Sequence, residues 1–116
     1  MSTLLTVQDY ITRARVLLLD EVVEYRYTDA QLIASLNEAI LEARRLRPDL
    51  MLSYFRVSLP EYTVGNLAAT VAVDQMYRTS FVYYIAGQAQ LRDSEDTSDA
   101  RGAGFLAKFK SDLTAL

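Results

Sequence analysis

Side chains that carry acid–base, nucleophilic or metal chemistry are sparse in this sequence. It contains no histidine and no cysteine, which excludes disulfides, thiolate metal sites and catalysis by either residue type. Any catalysis would therefore depend on carboxylates, lysine, tyrosine or serine.

Two pairs of carboxylates are candidates for such chemistry. Asp20 and Glu21 are adjacent, so their side chains would point apart on a helix. Glu38 and Glu42 share one helix face, an arrangement that a glycosidase or a metal site could use. No phosphate loop, nucleotide fingerprint or nucleophile elbow accompanies them, and an outward acidic face explains them equally well. We therefore expect that the protein is not an enzyme and that it binds neither a cofactor nor a metal.

Three arginines, Arg44, Arg45 and Arg47, crowd the end of a predicted helix and are candidates for contact with a phosphate. Cations also stabilise the C-terminal end of any helix, and Glu42 lies one turn before Arg45. We favour this structural interpretation. The net charge of −3, from 12 Lys and Arg against 15 Asp and Glu, also argues against non-specific binding of nucleic acid.

The elements that would position these residues are predicted to be helices. Thr6 and Asp9 form a capping-box-like start for a first helix that runs to about Asp20, with Arg15 off its apolar face. A second helix begins at the capping box of residues 28–31 and ends at Pro48.

Two further helices are predicted in the second half. Asp74 caps the first of them, which runs to about Arg92, and an acidic connection leads to the last helix over residues 98–113. Gly102 and Gly104 in the last helix either allow close helix packing or mark a loosely held first turn. Leu36 and Phe81 are the expected core residues of this bundle.

Between the second and third helices the pattern changes. Residues 49–73 lack helical spacing, alternate loosely and contain Pro60 and a Gly65–Asn66 turn signal, which predicts a β-hairpin or an extended arm. A lone hairpin is marginal in water, so we expect this segment to become ordered against a partner. Tyrosine is enriched at protein interfaces because its ring buries apolar area while its hydroxyl keeps a polar contact. The predicted interface residues are Tyr54, Phe55, Val57, Leu59 and Tyr62.

Length and composition fit one domain over residues 1–116. The chain has 116 residues, of which 51% are apolar and 23% charged, enough for one hydrophobic core. Neither a signal peptide nor an apolar run long enough for a bilayer is present, so we expect no membrane association and synthesis in a cytoplasm.

An ordered series of segments resembles the adaptor proteins of tailed bacteriophages, the small head-to-tail connectors. The resembling segments are residues 17–21, 27–32, 36–39, 46–49, 83–93, 100–101 and 105–109. The resemblance extends over nearly the whole chain and is weakest over residues 50–73.

The resemblance implies a structural virion protein at the head–tail junction. Adaptors of this family are helical bundles that form a homo-oligomeric ring, typically of twelve copies, beneath the portal protein. The ring joins the portal to the tail or nozzle protein and lines the channel through which double-stranded DNA leaves the head. Arg44, Arg45 and Arg47 would then be candidates for contact with channel DNA, which passes without specific binding.

Two alternatives come from other functional classes. One is a small helical DNA-binding protein, with a packaging or regulatory role, that uses its second helix as reader. The other, with less support, is a carboxylate-based cell-wall hydrolase that uses Glu38.

Overall fold

Four helices make up most of the part of the chain that the computed structural model describes. That part comprises residues 4, 6–18, 20, 27–47, 49, 61–71, 77–92 and 96–114. The helices are α1 (Val7–Leu18), α2 (Asp29–Leu46), α3 (Arg78–Arg92) and α4 (Asp96–Thr114). These described residues contain no strand, and the predicted mainly helical bundle is confirmed. No helix among them is long and apolar enough to cross a bilayer.

Two of the helix starts predicted from the sequence, at Thr6 and at Thr28, are present in the structure, whereas the cap predicted at Asp74 lies outside the described residues. The Thr6 N–H donates to Asp9 Oδ2 at 3.0 Å, and the Asp9 N–H donates to Thr6 Oγ1 at 3.3 Å. At α2, the Gln31 N–H donates to Thr28 Oγ1 at 3.1 Å and the Thr28 N–H donates to Gln31 Oε1 at 2.9 Å. Each pair satisfies backbone donors that a helix start leaves unbonded, so both boundaries are set locally.

The core lies where the apolar stripes of the helices meet. Leu36 and Phe81 are buried, which confirms both core predictions. Phe109 packs edge-on against Phe81 and Tyr84, with ring centroids 5.6 and 4.8 Å apart. Such edge-to-face contacts add to the hydrophobic contribution of each ring. The aromatic cluster therefore joins α3 to α4.

Two glycines allow α3 and α4 to approach closely. A Cβ at Gly87 would lie 2.9 Å from the Gly102 carbonyl oxygen and 2.9 Å from Leu106 Cγ, and one at Gly102 would lie 3.0 Å from the Gly87 carbonyl oxygen. Close packing is therefore the role of Gly102. Gly104 is different, because a Cβ there would meet nothing within 4 Å.

Residues 61–71 pack on the chain's own bundle. Val64–Asn66 form a single 3-10 turn, and Thr70 makes an isolated antiparallel bridge with Thr6. The Val7 N–H donates to the Ala69 carbonyl at 3.0 Å and the Gln8 N–H to the Leu67 carbonyl at 2.9 Å. This part of the predicted arm is therefore corrected, since it uses the start of α1 as its backbone partner. The hairpin over residues 50–60 and 72–73 lies outside the described residues and stays a prediction.

The two glycine environments predict opposite effects of one substitution. Gly87→Ala should lower the free energy of unfolding by about 1–3 kcal/mol, because the new methyl overlaps the α4 backbone. Gly104→Ala should raise it by roughly 0.5–1 kcal/mol, because alanine favours a helix and the site is open. Urea unfolding followed by circular dichroism measures both. A stabilised Gly87→Ala variant would contradict this packing.

Two buried tyrosines differ in their hydroxyl contacts. Tyr10 is fully buried and its hydroxyl has no hydrogen-bond partner within the described part of the chain, whereas the Tyr62 hydroxyl donates to the Thr70 carbonyl at 3.2 Å. Tyr10→Phe should therefore raise the free energy of unfolding by about 1 kcal/mol, and Tyr62→Phe should lower it by about 1 kcal/mol.

The same burial predicts a pH dependence. Burial raises the pKa of Tyr10 above its ordinary value of 10.0, so only the unfolded chain ionises this tyrosine near pH 10. Its contribution to stability is complete below that pH and is lost as the pH rises toward the folded-state pKa. The wild-type protein should thus lose stability more steeply between pH 9 and 11 than Tyr10→Phe. Equal slopes in denaturant titrations would refute the assignment.

Candidate functional site at the end of the second helix

The three arginines predicted as phosphate contacts lie at the C-terminal end of α2 but have different surroundings. Arg44 is exposed and makes no ion pair within the described part of the chain. Arg45 donates from Nε to Glu42 Oε1 at 2.7 Å, with a second contact from its Nη2 to the same oxygen. The hydrogen bond with Glu42 raises the pKa of Arg45. The predicted pairing of Glu42 with Arg45 is therefore confirmed.

Arg47 joins three elements at one end of the bundle. Its Nε and Nη2 donate to Asp49 Oδ1 and Oδ2 at 2.9 and 2.8 Å, and its Nη1 donates to the Leu113 carbonyl near the end of α4 at 2.7 Å. Its guanidinium also lies over the Tyr77 ring, 5.9 Å from the centroid. The hydrogen bonds between Arg47 and Asp49 raise the pKa of Arg47 and lower that of Asp49. Arg47 thus serves as a clamp within the chain, whereas Arg44 is exposed.

One member of each predicted carboxylate pair is engaged in the same internal way. Glu42 accepts from Arg45, and Asp20 is bonded to Arg15, whereas Glu21 lies outside the described residues. No group of three or more potential metal ligands occurs among the described residues. These carboxylates neutralise neighbouring cations and hold backbone groups in place.

Four of the five predicted interface residues, Tyr54, Phe55, Val57 and Leu59, lie outside the described residues. Tyr62 is described. It is buried against the chain's own core, where the Asn37 side-chain amide donates to the Tyr62 carbonyl and accepts from the Tyr62 N–H, both at 2.9 Å. Asn37 thus satisfies both backbone groups of Tyr62, as a neighbouring strand would. The assignment of Tyr62 to an interface stays a prediction.

A shallow groove lies beside Tyr62 on the surface. Its volume is 240 Å³, and it runs between the first turns of α2 and residues 62–64. The lining is mostly apolar: Ala30, Ile33, Ala34, Asn37, Tyr62, Thr63 and Val64. Val64 on its wall is 51% exposed. The groove lacks convergent charged groups, so it suits an apolar side chain better than a polar ligand.

Arg15 forms a buried polar cluster that the sequence did not predict. It was expected off the apolar face of α1, yet it is only 6% exposed. Its Nη1 donates to Asp20 Oδ2 and to the Tyr27 carbonyl, each at 2.8 Å, and its Nη2 bonds Asp29 Oδ1 at 2.5 Å. Asp20 Oδ2 also accepts from the Tyr27 N–H at 3.1 Å. The chain's own groups occupy the site, which fixes the end of α1 against the start of α2.

Comparisons with protein-family models, curated proteins and solved structures found no match. The geometry described above is therefore the basis on which function is considered.

The buried ion cluster predicts a large effect from a single substitution. Arg15→Met should lower the free energy of unfolding by about 3–5 kcal/mol, because Asp20 would stay buried without its cationic partner. Arg13→Met, on the exposed side of α1, should change it by less than about 0.5 kcal/mol. Thermal and urea unfolding give both values. Equal stability of the two variants would contradict a structural role for Arg15.

Proposed function

We propose that this chain is an adaptor that forms a ring at the head–tail junction of a tailed bacteriophage and joins the portal protein to the tail or nozzle protein. The observation that carries the proposal is where the resembling segments lie in the fold. They supply the contacts that join one helix to the next.

The first half of the chain illustrates this placement. Segment 17–21 contains Asp20, and segment 27–32 contains Tyr27 and Asp29, three of the partners at the Arg15 cluster. Segment 36–39 contains Asn37, which holds the Tyr62 backbone. The resembling segments therefore contain several of the residues that join one helix to the next, as expected if the likeness is one of fold.

The second half agrees with the first. Segment 46–49 contains Arg47 and Asp49, the clamp to α4, and segment 83–93 contains Gly87, which lets α3 approach α4. In contrast, residues 50–73, where the resemblance is weakest, contain the predicted interface residues.

The charge balance supports a conduit better than a DNA reader. Arg45 and Arg47 already bind Glu42 and Asp49, and the chain carries a net charge of −3. A ring with this balance lets DNA slide past without holding it, whereas a reader needs several free cations on one face.

The proposal predicts assembly that depends on the portal. The purified chain should run as a monomer or a weak oligomer in light scattering, and it should form rings of about twelve copies when incubated with portal rings, visible by electron microscopy.

Replacing Tyr54 and Phe55 together by alanine should abolish ring formation while leaving the thermal unfolding temperature almost unchanged, because both side chains are assigned to a partner.

A matched control removes the same two residue types elsewhere. Tyr83 and Phe105 stack on each other, with ring centroids 5.7 Å apart, on α3 and α4. The double alanine variant at these positions should lose some stability and still form rings. Failure of the wild-type chain to bind portal rings at any concentration would refute the adaptor function, and a salt-sensitive shift of duplex DNA in a gel would favour the DNA-binding alternative.

A further inference from the structure

On the outward stripe of α2, the chain's own Tyr62 engages Asn37, whereas the positions on either side of Asn37 along the stripe are exposed. Ala30, Ala34, Asn37, Leu41 and Arg44 follow one another at alternating spacings of four and three residues, the spacing of a helix–helix seam. Ala30, Ala34, Leu41 and Arg44 are exposed, and Leu41, at 54%, has the most exposed large apolar side chain among the described residues. The stripe therefore offers one protruding side chain beside two small ones.

The small side chains border the apolar groove. Ala30 and Ala34 form its floor on α2, and Val64 stands on the opposite wall. A dry cavity of about 150 Å³ is large enough for a benzene molecule, so a groove of 240 Å³ has room for a leucine side chain. The chain thus carries both a hole and a knob of matching chemistry on the same helix face.

We propose that α2 pairs antiparallel with α2 of a second copy of this chain, so that Leu41 of each copy enters the groove of the other. Leu41 lies seven residues after Ala34, which is about 10 Å along a helix. A two-fold axis near Asn37 therefore brings each Leu41 level with Ala34 of the second copy. One operation fills both grooves, as an isologous contact requires.

The charges of α2 favour the same orientation. Its last turns carry Arg44, which makes no ion pair among the described residues, beside the pair of Arg45 and Glu42. Its first residue is Asp29, which shares Arg15 with Asp20, so two carboxylates face one cation at that end. Antiparallel pairing places the cationic turns of one copy beside the acidic start of the other and opposes the two helix dipoles. Parallel pairing would bring the arginines of both copies together.

The contact is small and closed. One helix face and one groove bury less surface than a permanent dimer needs, so the pair dissociates readily on dilution. A two-fold contact joins two chains and does not extend into a ring. The pair is therefore a state of the free chain, and the inference does not depend on the proposed function.

Cysteine crosslinking tests the register, because the natural chain has no cysteine to interfere. Ala34→Cys and Leu41→Cys chains, mixed and oxidised, should form the mixed disulfide faster than either forms a disulfide with itself, because only the mixed pair brings the Cα atoms within about 7 Å. Val16→Cys is the control, at a side chain 43% exposed on α1. An equal rate for the mixture of Val16→Cys with Ala34→Cys would overturn the proposal.

The free energy of association gives an independent readout. Sedimentation equilibrium of the wild-type chain should show a concentration-dependent dimer. Leu41→Asp should weaken it by about 100-fold or more, since two leucine side chains lose their burial. Val16→Asp introduces the same charge at a comparably exposed site and should leave the dimer intact, with circular dichroism checking the fold of both. A wild-type monomer at all concentrations, or equal weakening by both variants, would overturn the proposal.

Discussion

The buried guanidinium of Arg15 is the constraint on which the arrangement of the first two helices depends. A buried cation is tolerated only where anions and carbonyls surround it, and here Asp20, Asp29 and the Tyr27 carbonyl all do so. Arg15 lies on α1, and its partners come from the connection and from the first turn of α2. The end of one helix and the start of the next therefore have few alternative positions. The capping box at Thr28 then sets the residue at which α2 begins.

In the second half of the chain, two glycines set how closely α3 and α4 pack. At Gly87 and Gly102 the backbones of α3 and α4 come so near that either Cβ would meet the opposing carbonyl oxygen. Elsewhere along the same two helices, Phe109 of α4 packs against Phe81 and Tyr84 of α3. Arg47 then ties the C-terminal end of α2 to that of α4. Polar contacts thus fix the helix ends, while shape and apolar burial hold the helix centres.

Features that depend on neighbouring residues were predictable from the sequence, whereas features that depend on distant ones were not. The cap of Thr6 and Asp9, the capping box at Thr28 and the core position of Leu36 follow from spacings within one or two turns. The sequence did not predict the burial of Arg15, because Asp29, one of its two carboxylate partners, lies fourteen residues away. It did not predict the burial of Tyr62, because Asn37, which bonds its backbone, lies twenty-five residues away. An amide that substitutes for a strand leaves no local pattern to detect.

The sequence predicted which arginines lie at the candidate site, but not which of them are already bonded within the chain. The sequence places Arg44, Arg45 and Arg47 together at a helix end, where nothing in the sequence distinguishes one arginine from another. The structure separates them: Arg45 is paired along its own helix, Arg47 reaches across to α4, and Arg44 remains exposed. Arg15 and Arg47 show the same use of charge, since each holds helix ends together from within the chain. The apolar surface that stays exposed on α2, Leu41 and the groove beside Ala34, is the part that the proposed pairing of two copies would bury.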